Sequence, residues 1–175
     1  MLSAFVLVDP TAPGFQEADR VRAIVKTLGA LVELVVADIV ADATVVTRPD
    51  AAIHGVEHSA GCTIVEDAHL GAGLARALPR ARREMALVLT PAYAPAGTFR
   101  AEIELAFSGE GLKALTLVAE PETFLQRMWP GIAPVAGLVA TRTALAGAAQ
   151  STDGRLASLA KALSARPMRT SALRL

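Results

Sequence analysis

Three groups of side chains in this 175-residue sequence have types and spacings suited to chemistry. The densest is His54-Gly55-Val56-Glu57-His58. It fits the H-x-x-E-H arrangement, in which two imidazoles four residues apart hold zinc on one helix face and the glutamate serves as base. A third ligand would have to come from downstream, and Glu120 and Glu122 are the nearest unassigned carboxylates. Gly55 weakens a helix at the centre of the motif, so the solvent face of a short helix is the favoured reading. The second group, Gly71-Ala72-Gly73, opens a helix and could bring backbone N–H groups to a phosphate. The third glycine of the dinucleotide fingerprint is missing, and so is the Lys-Ser/Thr pair of a P-loop; close helix–sheet packing is favoured. The third is Glu102 and Glu104, which share a face if 102–107 is a strand. They could pair as acid and base, but with Ala106 beside them an exposed polar strand face is favoured.

A fourth place is informative for what it lacks. The strand Met85-Ala86-Leu87-Val88-Leu89 runs directly into Thr90-Pro91-Ala92-Tyr93. The carboxyl end of a strand is where open α/β sheets bind ligands, and a metal-held diphosphate needs carboxylates there. This chain offers a hydroxyl, a proline and a methyl group. Nucleophilic catalysis has no support either: Cys62 lies in a buried-strand pattern, and no Gly-x-Ser-x-Gly surrounds Ser108. Trp129-Pro130 with Phe124 and Met128 could line a pocket or a subunit contact; a core anchor is favoured.

Composition narrows the function classes. Seventeen basic and seventeen acidic residues cancel, which argues against a nucleic-acid binder dependent on phosphate neutralisation. A core of Ala, Val and Leu follows from 53% hydrophobic but only 4% aromatic content. The lone Cys62 excludes an internal disulfide and points to a reducing compartment. The first residues carry no basic region before their apolar run, and Glu33, Asp38 and Asp42 interrupt the oily stretch 28–46. Neither a signal peptide nor a membrane-spanning helix is expected, and a cytoplasmic location is.

The elements that must position these residues alternate. Strands are expected at 3–8, 43–47, 62–65 and 85–89. Between them come a helix from 15 to about 40, a helix over about 51–59 capped by Asp50, and a helix over 71–83 ended early by Pro79. Such alternation implies a single α/β domain over 1–175, with a mostly parallel Rossmann-like sheet and helices on both faces. Further on, 102–107 reads as a half-exposed strand, 115–118 as a strand and 121–128 as a short helix. Residues 136–140 fit strand or helix start. Leu156, Leu159, Ala160 and Leu163 mark a last amphipathic helix, and the mildly basic tail from Arg166 reads as a final strand with a frayed end.

Several of these stretches together resemble the bacterial family 2 glycosyltransferases, whose catalytic domain has the GT-A fold. Ser3-Ala-Phe-Val-Leu-Val-Asp-Pro10-Thr11 resembles the first strand and its Pro-Thr. Ala60-Gly61-Cys62-Thr-Ile-Val65, followed by Gly71-Ala72-Gly73-Leu74-Ala75, is similar to the family's Ala-Gly-x-x-Val-Val and its Gly-x-Gly helix. Gly137-Leu138-Val139, Arg142, Leu145, Asp153 and Leu156 resemble the acceptor-side segment and its acidic motif.

The resemblance implies nucleotide-sugar binding near Pro10, Thr11, Thr47 and Asp50, with Asp153 as catalytic base. It also marks departures. Thr47 stands where the family has an aspartate, and Thr90-Pro91-Ala92 replaces the metal-binding Asp-x-Asp, which makes a divalent Mg or Mn cofactor doubtful. Thr152-Asp153 replaces an acidic pair, and the Gln-x-x-Arg-Trp of processive members is absent. Inverting sugar transfer needs a base on the acceptor and charge compensation on the departing diphosphate. Arg48 or Arg142 would have to supply the second in place of metal. A nucleotide-sugar-dependent transferase and an inactive GT-A-fold pseudoenzyme used for binding or assembly, including as a homo-oligomer, are both implied. A nucleotidyltransferase is a third reading, weakened by the same missing carboxylates.

Overall fold

A computed structural model describes residues 1–9, 17–49, 53, 56, 60–107, 114–129 and 133–175. Eight strands form one sheet: β1 (Leu2–Val8), β2 (Val40–Thr47), β3 (Thr63–Glu66), β4 (Met85–Leu89), β5 (Tyr93–Pro95), β6 (Ala114–Ala119), β7 (Val135–Thr141) and β8 (Arg166–Arg174). Their order is β3-β2-β1-β4-β7-β6-β8-β5. β1 pairs in parallel with β2 and β4, β2 with β3, and β6 with β8, while β5 and β7 run antiparallel to their neighbours. The sheet is mostly parallel, as the alternation of elements predicts.

Among the described residues six helices accompany it: α1 (Glu17–Val36), α2 (Leu70–Ala77), α3 (Phe99–Phe107), α4 (Phe124–Met128), α5 (Arg142–Ser151) and α6 (Leu156–Ala162). All seven residues of β1 are buried, because helices close both of its faces. On one side Leu2, Ala4 and Val6 meet Ile24 and Leu31 of α1 and Phe99 of α3. On the other, Phe5 and Leu7 meet Leu70 and Leu74 of α2 and Leu145 of α5. The period-two pattern of the strand thus feeds two separate cores.

Pro79 ends α2 as expected, leaving one 3-10 turn at Leu78–Arg80. Residues 135–141, readable either way in the sequence, form β7. The stretch 102–107 is not a strand. It is the body of α3, because Phe99, Ile103 and Ala106 recur at i, i+4 and i+7 and pack on the α1 side of the sheet. A window opening at Glu102 omits Phe99 and leaves an accidental alternation.

Trp129 is not a core anchor either. Phe124, Met128 and Trp129 are 74%, 57% and 57% exposed, since α4 is a five-residue helix with no buried residue. Its start is held by a capping box between Thr123 and Gln126 rather than by packing. Most of the expected helix over 51–59, including the zinc-like motif apart from buried Val56, lies outside the described residues. No described helix is long and apolar enough to cross a membrane.

Candidate functional site

The carboxyl ends of β1, β2, β3 and β4 lie side by side at one edge of the sheet. Strand order reverses between β1 and β4, the usual place for a crevice in an open α/β sheet. The segment between α5 and α6 returns to this same edge. It brings Thr152, Asp153 and Arg155 over the start of α2.

A cleft of about 430 Å³ results, lined by Arg48, His69, Gly71, Gln150, Thr152 and Asp153 among others. Glycine makes the approach possible. A β-carbon on Gly71 would stand 2.5 Å from the Ala149 carbonyl oxygen, and Gly154 adopts φ +79° against it. Gly73 serves differently, with Val46 of β2 and Asp67 immediately beneath it. The close-packing reading of Gly71-Ala72-Gly73 therefore holds, but only Gly73 packs on the sheet.

The polar groups have specific partners. Arg48 follows β2, and its Nε is buried without a hydrogen-bond partner among the described residues. Leaving a buried guanidinium N–H unpaired is costly unless an acceptor arrives. His69 is the N-cap of α2 but makes no side-chain cap bond, so the helix opens on the cleft with uncapped N–H groups. Its own N–H donates to Asp67 Oδ1 at 3.0 Å, and Asp67 pairs with Arg76 at 3.2 Å. Thr47 is buried. Its hydroxyl donates to the Arg48 carbonyl at 2.9 Å, while its carbonyl accepts from the Asp67 N–H at 2.9 Å. Pro10, Thr11 and Asp50 lie outside the described residues.

Asp153 is exposed at the mouth of the cleft and accepts the Arg155 N–H at 3.0 Å. That bond is the main reason its carboxyl sits below the usual aspartate range; slight burial opposes it, and the Ser158 hydroxyl and the Arg155 charge add to it. Arg155 Nε lies 3.5 Å from Asp153 Oδ2 and 3.5 Å from Asp9 Oδ2, tying the end of β1 to the α5–α6 turn. Arg155 was not singled out in the sequence. Its only signal there is a basic residue two places after Asp153.

Arg142, the other candidate cation, is at the opposite end of the sheet. Its N–H donates to the Glu84 carbonyl just before β4, and its guanidinium to the Ala81 carbonyl. It cannot compensate charge in this cleft. Nor do the residues beyond β4 fit a divalent cation. The Thr90 hydroxyl and N–H both donate to the Ala136 carbonyl, at 2.9 and 3.0 Å, and Pro91 and Ala92 bring no oxygen side chain. Among the described residues no three His, Cys, Asp or Glu side chains gather as a metal site. Glu102 and Glu104 do not form a pair. Glu102 accepts the N–H groups of Arg169 and Thr170 at 2.7 Å each, and Glu104 pairs with Arg100 at 2.8 Å. A second cleft, about 580 Å³, lies at the far strands between Glu120, Glu122, Arg127 and Arg174. It is a surface groove spanned by the Arg174–Glu122 pair at 2.9 Å, away from the strand-order reversal.

No family model matches the sequence, and no curated protein matches it. Solved structures do match in three dimensions. Glucosyl-3-phosphoglycerate synthase from Mycobacterium tuberculosis, in complex with Mn2+, UDP and glucosyl-3-phosphoglycerate, superposes with TM-score 0.60 at 13% identity over 99% of this chain and 72% of that one. The fold is GT-A-like. In the same synthase bound to phosphoglyceric acid the match has TM-score 0.56 at 15% identity, over 82% of this chain and 57% of that one. The matched part spans 57% of that synthase in one complex and 72% in the other. A 4-diphosphocytidyl-2C-methyl-D-erythritol synthase matches with TM-score 0.58 at 15% identity, over 95% of this chain and 86% of that one. The GT-A-like sheet is thus shared with two differently named synthases.

Proposed function

We propose that this chain is a family 2 glycosyltransferase-like protein, one domain over 1–175, that binds a nucleotide-sugar in the cleft between Arg48 and Asp153. The observation that carries the reading is the buried Nε of Arg48, without a hydrogen-bond partner among the described residues, beside the uncapped start of α2. Both offer N–H donors, and together they suit an anionic diphosphate. The structural relatives include a synthase solved with UDP-glucose and Mn2+, which supports the ligand class. Thr47, with Pro10, Thr11 and Asp50, is assigned to the nucleoside side on the family resemblance.

Binding is better supported than transfer. A general base works best with a pKa near the operating pH, whereas Asp153 is held low and engaged by Arg155. Arg48 lines the cleft and Arg155 stands beside Asp153 at its mouth, so both supply positive charge there. A non-catalytic, nucleotide-sugar-responsive binding protein is therefore the leading form of the proposal. Its catalytic form keeps Asp153 as base, favoured by the one fact that Asp153 and Arg48 line the same cleft.

Calorimetric titration against a panel of UDP- and GDP-sugars tests the reading. Micromolar binding of one nucleotide, lost in Arg48→Ala, is the expected result. A well-folded chain that binds none of the panel overturns it.

A further inference from the structure

Helix α1 is apolar over a wider arc than it buries. One stripe, carrying Ala23, Ile24, Leu28 and Leu31, is buried in the core. At ~100° per residue, Val25, Gly29, Val32 and Val36 fall within an adjoining outer arc of about 60°. There Val25, Val32 and Val36 are 51%, 58% and 83% exposed, and a β-carbon at Gly29 would meet nothing within 4 Å. Core packing asks for only the first stripe. The second leaves three β-branched residues in water and places a glycine at the centre of a 20-residue helix, where alanine would be better by about 1 kcal/mol.

We infer that this outer stripe of α1 is the contact face of a homodimer, with α1 of a second copy crossing it antiparallel at Gly29. Three features converge on a second copy rather than an unrelated partner. The stripe has coiled-coil spacing: Arg22, Gly29 and Val36 occupy one seam position and Val25 and Val32 the other. An antiparallel crossing centred on Gly29 sets Val25 against Val32 of the second copy, and the two glycines let the backbones approach closely.

The flanking charges are self-complementary in that arrangement. Lys26 and Glu33 are seven residues apart on the same side of the stripe. Across a two-fold axis near Gly29, Lys26 faces Glu33 of the second copy, and Glu33 faces its Lys26. A two-fold interface repeats every contact, so both pairs form together. In a parallel crossing the flank that carries Lys26 and Glu33 would face the opposite flank of the second copy, and neither pair would form. This inference does not depend on the nucleotide reading, since it uses only α1.

Sedimentation velocity of the full chain across the micromolar range tests it. A dimer is expected for the unaltered protein. Lys26→Glu or Glu33→Lys alone should weaken dimerisation by about ten-fold or more, since each puts two like-charge pairs into the interface. The double exchange Lys26→Glu with Glu33→Lys should restore it. Circular dichroism on each variant separates lost pairing from lost folding. Gly29→Ala gives an independent arm: it should dissociate the dimer by adding a methyl at the crossing. A monomeric native chain, a dimer indifferent to both charge changes, or a Gly29→Ala variant that simply melts higher with unchanged mass each overturns the inference.

Discussion

The backbone of Gly154 lies directly against that of Gly71, with no room for a β-carbon on either residue. This contact holds the α5–α6 turn over the start of α2, and so sets Asp153 opposite Arg48. Gly154 also needs its positive φ of +79°, which an alanine would adopt only under strain.

Gly71→Ala and Gly154→Ala should therefore each destabilise the chain by roughly 2–4 kcal/mol, read by urea unfolding. Gly147→Ala is the matched control. It lies in α5 with nothing within 4 Å of the added carbon, and it should gain up to about 1 kcal/mol from helix propensity. Equal effects at all three positions would remove the contact as the organiser of the cleft.

The two arginines named from the sequence should behave oppositely. Arg48→Ala should weaken nucleotide-sugar affinity by at least about ten-fold, the scale of one lost charge-assisted hydrogen bond. Arg142→Ala should leave affinity unchanged within about two-fold, because its bonds run to Ala81 and Glu84 at the other end of the sheet. Calorimetry on the pair decides whether the charge compensation is local to β2. Matching losses would place the anion somewhere other than the Arg48 cleft.

Much of the frame was legible in the residues, for physical reasons that differ by element. β4 could be read to the residue because its apolar run is bounded by charge before and Pro91 after. Pro79 marks its own break. The layered sheet followed from strand and helix alternating over the first ninety positions. What stayed hidden depends on contacts between distant segments. Glu102 looked like a strand residue because its helical partner Phe99 fell outside a short window. Trp129 looked like a core residue because an aromatic side chain says nothing about whether a neighbour covers it. The place of Asp153 depends on Gly71 and Gly154 meeting, and that of Arg155 on its reach to Asp9, 146 positions earlier in the chain. Neither approach leaves a periodic trace.

Glu102 fixes α3 to β8 and should carry a pH signature. Burial alone would raise its carboxyl. The bonds from the Thr170 side chain and the Arg169 and Thr170 N–H groups outweigh that, and the net shift is downward from 4.5. A carboxylate with a depressed folded pKa contributes stability above its unfolded value, and that stability is lost as pH falls through the folded one. The expected outcome is a chain whose thermal midpoint falls below about pH 4.5, with a shallower acid slope in Glu102→Gln. At pH 7 the same variant should melt a few degrees lower, about 2–4 °C. Parallel pH profiles for the two proteins would show that Glu102 contributes nothing to acid lability.

Ala92 offers the sharpest test of the metal question. It follows β4, where the family resemblance would put the second aspartate of the metal motif, and its φ is +67°. That left-handed conformation costs an alanine about 1 kcal/mol, whereas Asn and Asp adopt it readily. Its N–H is held by the Thr27 hydroxyl at 2.9 Å, so the backbone keeps this shape whatever the side chain. The residues now present lack ligands, so EDTA or added Mn2+ should change nucleotide-sugar affinity by less than about two-fold. Ala92→Asn should raise stability by up to about 1 kcal/mol without altering that response. Thr90→Asp with Ala92→Asp should add two carboxylates at the strand end and make binding tighten with Mn2+ by about ten-fold or more. A native chain that already requires Mn2+ would show that ligands other than Thr90, Pro91 and Ala92 hold it, and would point to the nearby carboxylates of Asp9 and Asp67.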